Sequence, residues 1–426
     1  MASYCKIASW HNSNITKFLT QKVMKNYIKA YIVSFARLVL KLGYIFPVKK
    51  HKIIFSSYEG MQYTCNPKYL FEGLFDSLDN GYEYVWVLNN PDFLPEKYRK
   101  SVKTVKYLSP THIYHLLTSG IIISNLGIEP IIPKRASQKF INTWHGGGAY
   151  KRVSSDMNMF SKSEKYYINK MRDIRHKGTD YFLSSCERFT EVSSKDFYID
   201  QARFIPSGLP RNDRFFNTTD EQRTIARNAF CKKYGIHNDN LLILYAPTFR
   251  GTHRKQEHID NQVCSQEVAE AFVQRFNKDV TFLFRSHISK DSSMSDHFDN
   301  NVKMIDMTSY PDMQDLLEFA DVLVTDYSSS IWDYCITNKP GFLFVPDLKQ
   351  YNSDRGFYTP IEDWPYNYAE TKKQLIEKIK SFSIEDNESK ISKHTQMLGS
   401  YETGNAANIV INLIINLNAK ERNSLD

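Results

Sequence analysis

Several short stretches of this 426-residue chain carry side chains suited to handling a phosphate group. In Asn142-Thr-Trp-His-Gly-Gly-Gly-Ala-Tyr-Lys-Arg152 a histidine follows an apolar run and precedes three glycines. His145 can act as base, acid or hydrogen-bond donor. Gly146, Gly147 and Gly148 let backbone N–H groups approach an anion closely, with an ordinary flexible loop as the plainer alternative. Thr281-Phe-Leu-Phe-Arg-Ser-His287 ends an apolar strand on Arg285 and His287, with Ser286 between them. Paired donors at a strand tip suit diphosphate binding and stabilisation of a leaving group. In Asp321-Val-Leu-Val-Thr-Asp-Tyr-Ser-Ser-Ser-Ile-Trp-Asp333 an apolar strand runs through Asp326 and the hydroxyls of Ser328, Ser329 and Ser330 into a helix. A helix start reached from a strand end offers unpaired N–H groups and the positive end of the helix dipole, which predicts an anion there. Asp326 has the plainer alternative of a cap. Ser207-Gly-Leu-Pro-Arg-Asn-Asp213 and Tyr245-Ala-Pro-Thr-Phe-Arg250 supply Arg211, Pro247, Thr248 and Arg250 from turns after further strands, and Thr308 completes the candidate set.

Other chemistries lack their residues. The chain has no GxxxxGK[ST] phosphate loop, no HExxH and no Asp-x-Asp pair, so an ordinary ATPase and a dedicated metal site are both unexpected. No cofactor is expected, although a loosely bound divalent cation would be compatible with the set. Six scattered cysteines without CxxC spacing argue against a zinc site or a disulfide framework and fit a reducing compartment.

The elements that must position these residues alternate. Apolar runs at Ile53–Ser57, Tyr84–Leu88, Ile121–Ser124, Phe140–Trp144 and Tyr181–Ser184 are separated by helical patterns near Pro67–Leu78, Pro110–Thr118 and Glu187–Phe197. A second block follows from Leu241 to Val345. Such alternation predicts an α/β architecture of parallel sheets, with ligand at the strands' C-terminal ends. The predicted divisions are residues 1–48 (basic amphipathic segment), 49–215 (acceptor-side domain), 216–400 (donor-binding domain) and 401–426 (a helix that crosses back to the first domain).

The net charge of +8 lies at the N-terminus: Met1–Lys52 contains ten Lys or Arg and no acid. At about 100° per residue, Met24, Ile28, Tyr31, Ile32, Phe35, Leu38, Val39 and Leu42 fall in one arc. Lys22, Lys25, Lys29, Arg37 and Lys41 fall in the opposite one. This predicts an amphipathic helix on an anionic membrane surface, against the alternative of a helix packed on its own domain with a solvated basic face. The segment lacks the features of a signal peptide, and its cations interrupt any membrane span. A nucleic-acid partner is not expected, because the apolar arc is too wide for an element that only tracks phosphates.

As a set, His145-Gly146, Tyr245-Ala-Pro-Thr248, Arg285-x-His287, Thr325-Asp-Tyr-Ser-Ser329, Asn338-Lys-Pro-Gly-Phe-Leu-Phe344 and Arg355-Gly-Phe-Tyr358 resemble the CDP-glycerol glycerophosphotransferase family of teichoic acid primases and polymerases, over roughly residues 50–415. One departure is that the family's His-Gly-Thr-Pro-Leu-Lys is His145-Gly-Gly-Gly-Ala-Tyr-Lys151 here, as in some capsule-polymer members. The resemblance implies a GT-B-like fold of two Rossmann-type doubly wound domains facing a cleft. It implies transfer of glycerol phosphate from CDP-glycerol to a hydroxyl of a lipid-linked or polymeric acceptor, releasing CMP, at the cytoplasmic face of the cell membrane. On that basis His145 and His287 are the expected catalytic pair, with the glycines, Arg211, Pro247, Thr248, Arg285, Ser286, Thr308, Asp326 and the three serines binding substrate. CDP-ribitol as donor, a sugar-nucleotide glycosyltransferase of GT-B type, and a catalytically silent membrane scaffold are the competing expectations.

Overall fold

A computed structural model describes residues 26–77, 81–152, 161–248, 251–252, 255–256, 261–286 and 302–422. His287, Arg250, Lys22, Met24 and Lys25 lie outside the described residues.

Two parallel sheets dominate. The first contains β1 (Lys49–Ser56), β2 (Glu83–Val87), β3 (Val102–Val105), β4 (Ser119–Ser124), β5 (Lys139–Asn142), β6 (Tyr181–Leu183) and β7 (Phe204–Ile205), in the order β3-β2-β1-β4-β5-β6-β7. A small antiparallel ribbon of β9 (Gly251–Thr252) and β10 (Lys255–Gln256) leaves the start of the second. That sheet contains β8 (Leu241–Ala246), β11 (Val280–Phe284), β12 (Met304–Asp306), β13 (Val322–Thr325), β14 (Gly341–Phe344) and β15 (Asn367–Ala369), in the order β12-β11-β8-β13-β14-β15. Both have the Rossmann arrangement, in which the order reverses beside the first strand and opens a crevice at the strand ends. Those reversal points lie between β1 and β4 and between β8 and β13. The strands are continuous runs such as Leu241-Leu-Ile-Leu-Tyr-Ala246 because helices bury both faces.

The sequence reading missed β3, β7 and β15. These are edge strands of two to four residues, too short and too polar to stand out from loops. It also missed the helix Lys162–Lys177, half of whose residues are charged and which buries Met171 as its one large apolar residue. Its Ser161–Glu164 capping box was the available signal.

The C-terminal helix Ala406–Arg422 does lie against the first sheet. Its Val410, Ile411 and Ile414 share a core with Leu70, Phe71 and Leu74 of helix Cys65–Ser77. A further core runs through both domains, joining Phe182, Phe189 and Phe197 to Leu244, Tyr327 and Trp332. Lys68 Nζ, 2.7 Å from Asp312 Oδ2, and Arg214 Nη1, 2.5 Å from Asp315 Oδ1, add ion pairs between the elements that flank the cleft.

Residues 26–40 form a helix, followed by a 3-10 turn Lys41–Ile45. The apolar arc faces outward: Tyr31 is 71% exposed, Phe35 68% and Leu42 73%. The helix is held instead by buried Ala30 and by Arg37, which donates to the carbonyls of Pro130 (2.7 Å) and Ile132 (2.6 Å). Arg37, placed by sequence on the basic face of the helix, therefore turns inward, because two backbone carbonyls of the first domain need a donor there. Among the described residues no helix is long and apolar enough to cross a membrane.

Candidate active site

His145 sits just after β5, beside the segments that follow β4 and β1 at the reversal point of the first sheet. Its Nδ1 is 2.8 Å from the carbonyl oxygen of Asn125, which follows β4. A carbonyl can only accept, so Nδ1 carries a proton, and in the neutral form of the ring the lone pair is on Nε2. The same Asn125 accepts from Tyr58 N through Oδ1 (3.0 Å), and the Tyr58 ring lies edge-on to His145 with centroids 5.8 Å apart. The local backbone is strained. Tyr58 (φ 46°), Glu59 (φ 56°), Cys65 (φ 63°) and Trp144 (φ 51°) all occupy the left-handed region beside the histidine. Each costs about 1–2 kcal/mol, and such strain concentrates where a site needs a particular geometry.

The glycine run meets the serine elbow directly. A Cβ on Gly146 would stand 3.4 Å from Ser329 Oγ, and one on Gly147 would stand 2.6 Å from Trp332 Cγ. Gly148 is left-handed (φ 66°) and gives its N–H to Ser185 Oγ at 3.0 Å. At Gly147 the missing side chain makes room for the Trp332 indole of the second domain, and at Gly148 for the Tyr150 ring, with Trp332 next to it. Gly146 is the member of the run that borders Ser329.

Helix Ser330–Cys335 has only six residues. Ser330 N donates to Ser328 Oγ (3.2 Å), Ile331 N to Ser328 O (3.3 Å) and Trp332 N to Ser329 O (3.1 Å). The first N–H groups are thus satisfied within the elbow, and a six-residue helix has little dipole to add. Ser329, opposite Gly146, is the serine best placed toward the other domain. Asp326 does not cap this helix. It accepts from Thr248 N through both oxygens (2.8 and 2.9 Å) and from Tyr327 N, tying the Pro247–Thr248 turn to the end of β13 at the second reversal point.

Arg285 leaves β11 with Nη1 on Tyr310 O (2.8 Å), and Ser286 N donates to Thr308 Oγ1 (3.1 Å). Burial lowers the Arg285 guanidinium from its ordinary value, with Asp312 and Tyr58 acting against that. Tyr58, from the first domain, is therefore close enough to bear on an arginine of the second. Its own phenol is pushed well above the ordinary range, first by burial and then by Cys65. Arg211, expected to reach a phosphate, is 4% exposed and bound up with protein groups: Asp333, Cys65 and the His145 carbonyl. Burial disfavours its charge, and Asp333 more than restores it, raising the guanidinium above its ordinary value.

Tyr58, Asn125, Trp332 and Asp333 were not singled out as site residues. Trp332 and Asp333 stand inside the elbow motif, where only the hydroxyls drew attention. Two surface cavities of about 560 and 340 Å³ lie elsewhere, one beside β15 and one beneath Arg37, and neither is lined by a residue of the candidate site. Among the described residues no three His, Cys, Asp or Glu side chains converge as a metal would require.

Two doubly wound domains meeting across their reversal points, with a tautomer-fixed histidine on one and an arginine and serines on the other, define a GT-B-like transferase. The chain belongs to a family described as CDP-glycerol:poly(glycerophosphate) glycerophosphotransferase, which it matches over residues 38–416. It is 26% identical over 387 residues to a teichoic acid poly(glycerol phosphate) polymerase of Bacillus spizizenii, covering 87% of this chain and 93% of that one. It is 29% identical over 348 residues to a polymerase of the same description from Staphylococcus epidermidis, covering 77% of this chain but only 46% of that longer one. Among solved structures, a variant of the wall teichoic acid polymerase TagF superposes with a TM-score of 0.77 at 25% identity, over 94% of this chain and 98% of that one. Another TagF variant, soaked with CDPG, gives 0.75 at 25% identity, over 94% and 98%.

Proposed function

We propose that this chain transfers glycerol phosphate from CDP-glycerol to a hydroxyl of a polymeric or lipid-linked acceptor. The observation that carries this reading is the meeting of Gly146 and Ser329 beside His145, which joins the two reversal points into one site. In the proposed step the acceptor oxygen attacks the β-phosphorus of CDP-glycerol. The acceptor proton passes to His145 Nε2, the bond from phosphorus to the bridging oxygen breaks, and CMP leaves with the electron pair. Arg285 and His287 would balance the charge on the diphosphate and on departing CMP, without a resident metal in the scheme. Ser329 Oγ would hold a phosphate oxygen, and the Pro247–Thr248 turn would border the nucleotide. Most of the acceleration would then come from positioning and charge neutralisation.

The same reading puts the chain at the cytoplasmic face of the cell membrane, as a peripheral protein. Support comes from the outward apolar arc of residues 26–42 and the cations Lys29, Lys41, Lys49 and Lys50 that accompany it.

Offering the purified protein CDP-glycerol, CDP-ribitol and UDP-sugars with a glycerol phosphate oligomer tests the donor. CMP should appear from CDP-glycerol with transfer to the oligomer. UDP release, or CMP from CDP-ribitol alone, would replace the reading.

A further inference from the structure

Behind His145 lies a buried polar chain that the transfer step does not use. Trp144, immediately before the histidine, is held left-handed, so the loop needs support from outside itself. That support reaches three successive carbonyls. Asn66 Nδ2 donates to Thr143 O and to Trp144 O, both at 3.0 Å, and Arg211 Nη1 donates to His145 O at 2.9 Å. Arg211 is in turn fixed by Asp333, whose Oδ1 and Oδ2 lie 3.0 and 2.9 Å from Nη2. Asp333 belongs to helix Ser330–Cys335 of the second domain, and Asn212 and Gln314 each donate to it at 3.0 Å.

We infer that Asp333 is a positioning residue for His145. It holds the Arg211 guanidinium at the one orientation that spans both domains, and so sets from the second domain where the histidine of the first points. The chemistry favours this over a purely structural role. A buried ion pair is a poor way to gain stability, since well-packed apolar side chains of similar volume often do as well or better. What the pair provides is direction: a planar fork with one prong on a carboxylate and the other on a carbonyl, which no apolar contact and no lysine can reproduce. Asp333 also cancels the arginine's charge, so the histidine is oriented without a net cation at its back. This inference rests on His145 as the base proposed above.

The test uses the full chain, CMP release from CDP-glycerol and four proteins: D333N, H145A, the double variant, and R211K, which keeps the buried charge but cannot bridge both partners. D333N should lower kcat by about 10- to 100-fold with KM for CDP-glycerol within about twofold. Added to H145A it should cost almost nothing more, because it acts only through the histidine. If D333N fails to fold, R211K should show the same kcat loss with an unchanged circular dichroism spectrum. Crystal structures of the variants should show residues 143–146 displaced over an intact sheet. Full additivity in the double variant, wild-type kcat in R211K, or an unmoved His145 in a slow variant each overturn the inference. Wild-type turnover in H145A removes the base itself, a different failure that would be seen first.

Discussion

Because Nδ1 of His145 is held by the Asn125 carbonyl, Nε2 is the nitrogen that the proposed proton transfer uses. His145→Asn keeps a donor near Nδ1 and removes Nε2, so it should lose turnover as fully as His145→Ala. The loss should be about 10²–10⁴-fold in kcat, measured as CMP release. An asparagine variant that retains activity would assign the histidine a structural part only. A second residue has its effect through pH. Burial pushes the Glu402 carboxyl up to about 7, against three donors: Trp332 Nε1, Asn212 Nδ2 and Leu209 N. Its folded value is raised, so its stabilising share is full below the ordinary value of 4.5 and is lost as pH rises through about 7. The share is on the order of 2 kcal/mol once its partial exposure is discounted. Urea denaturation at pH 5 and pH 8 should show wild type losing stability with rising pH, and Glu402→Gln losing less. Equal slopes would remove Glu402 as a source.

At the scale of elements, the glycine loop and the serine elbow act as a pair. The sequence showed both motifs and their places after strands, but not that each would be the other's neighbour. Glycines followed by a lysine suggest an anion cradle; that Gly147 also admits Trp332 depends on a contact across 185 positions of chain, invisible to any local pattern. The self-satisfied N–H groups of the elbow were equally hidden, since three serines in a row fit capping and anion binding alike. Gly147→Ala should therefore destabilise the fold by about 1–3 kcal/mol as well as lower activity, read as a fall in melting temperature. A variant as stable as wild type would return Gly147 to the ligand. The N-terminal helix is the opposite case: its apolar arc was legible residue by residue, and the inward Arg37 was not, because its carbonyl partners lie more than ninety residues away. Replacing Phe35, Leu38 and Leu42 by serine should abolish sedimentation with anionic vesicles while leaving CMP release to a soluble oligomer intact. Unchanged sedimentation would point to another membrane contact.

For the molecule as a whole, the alternation of strands and helices carried the architecture, and the second reversal point, between β8 and β13, fell where polar motifs followed apolar runs. The edge strands were lost because brevity leaves no periodicity to detect. Two domains facing a cleft were expected, and the structure adds what holds the walls: a continuous apolar core through Trp332, the Lys68–Asp312 and Arg214–Asp315 pairs, and the Arg211–Asp333 fork. Ending the chain before Ala406 removes Val410, Ile411 and Ile414 from the first domain's core. Such a truncation should leave most of the product in the insoluble fraction. A soluble, active protein lacking the helix would show that the crossing is dispensable.

That crossing helix also bears on how the protein is made. A ribosome releases residues 406–422 more than three hundred residues after the helix whose apolar surface they cover. Throughout synthesis the nascent first domain must wait with that surface bare, at the stage when chains are most prone to associate wrongly. Completion of that domain waits for residues 406–422 to leave the ribosome, and chaperone occupancy should persist on the nascent chain until they have done so.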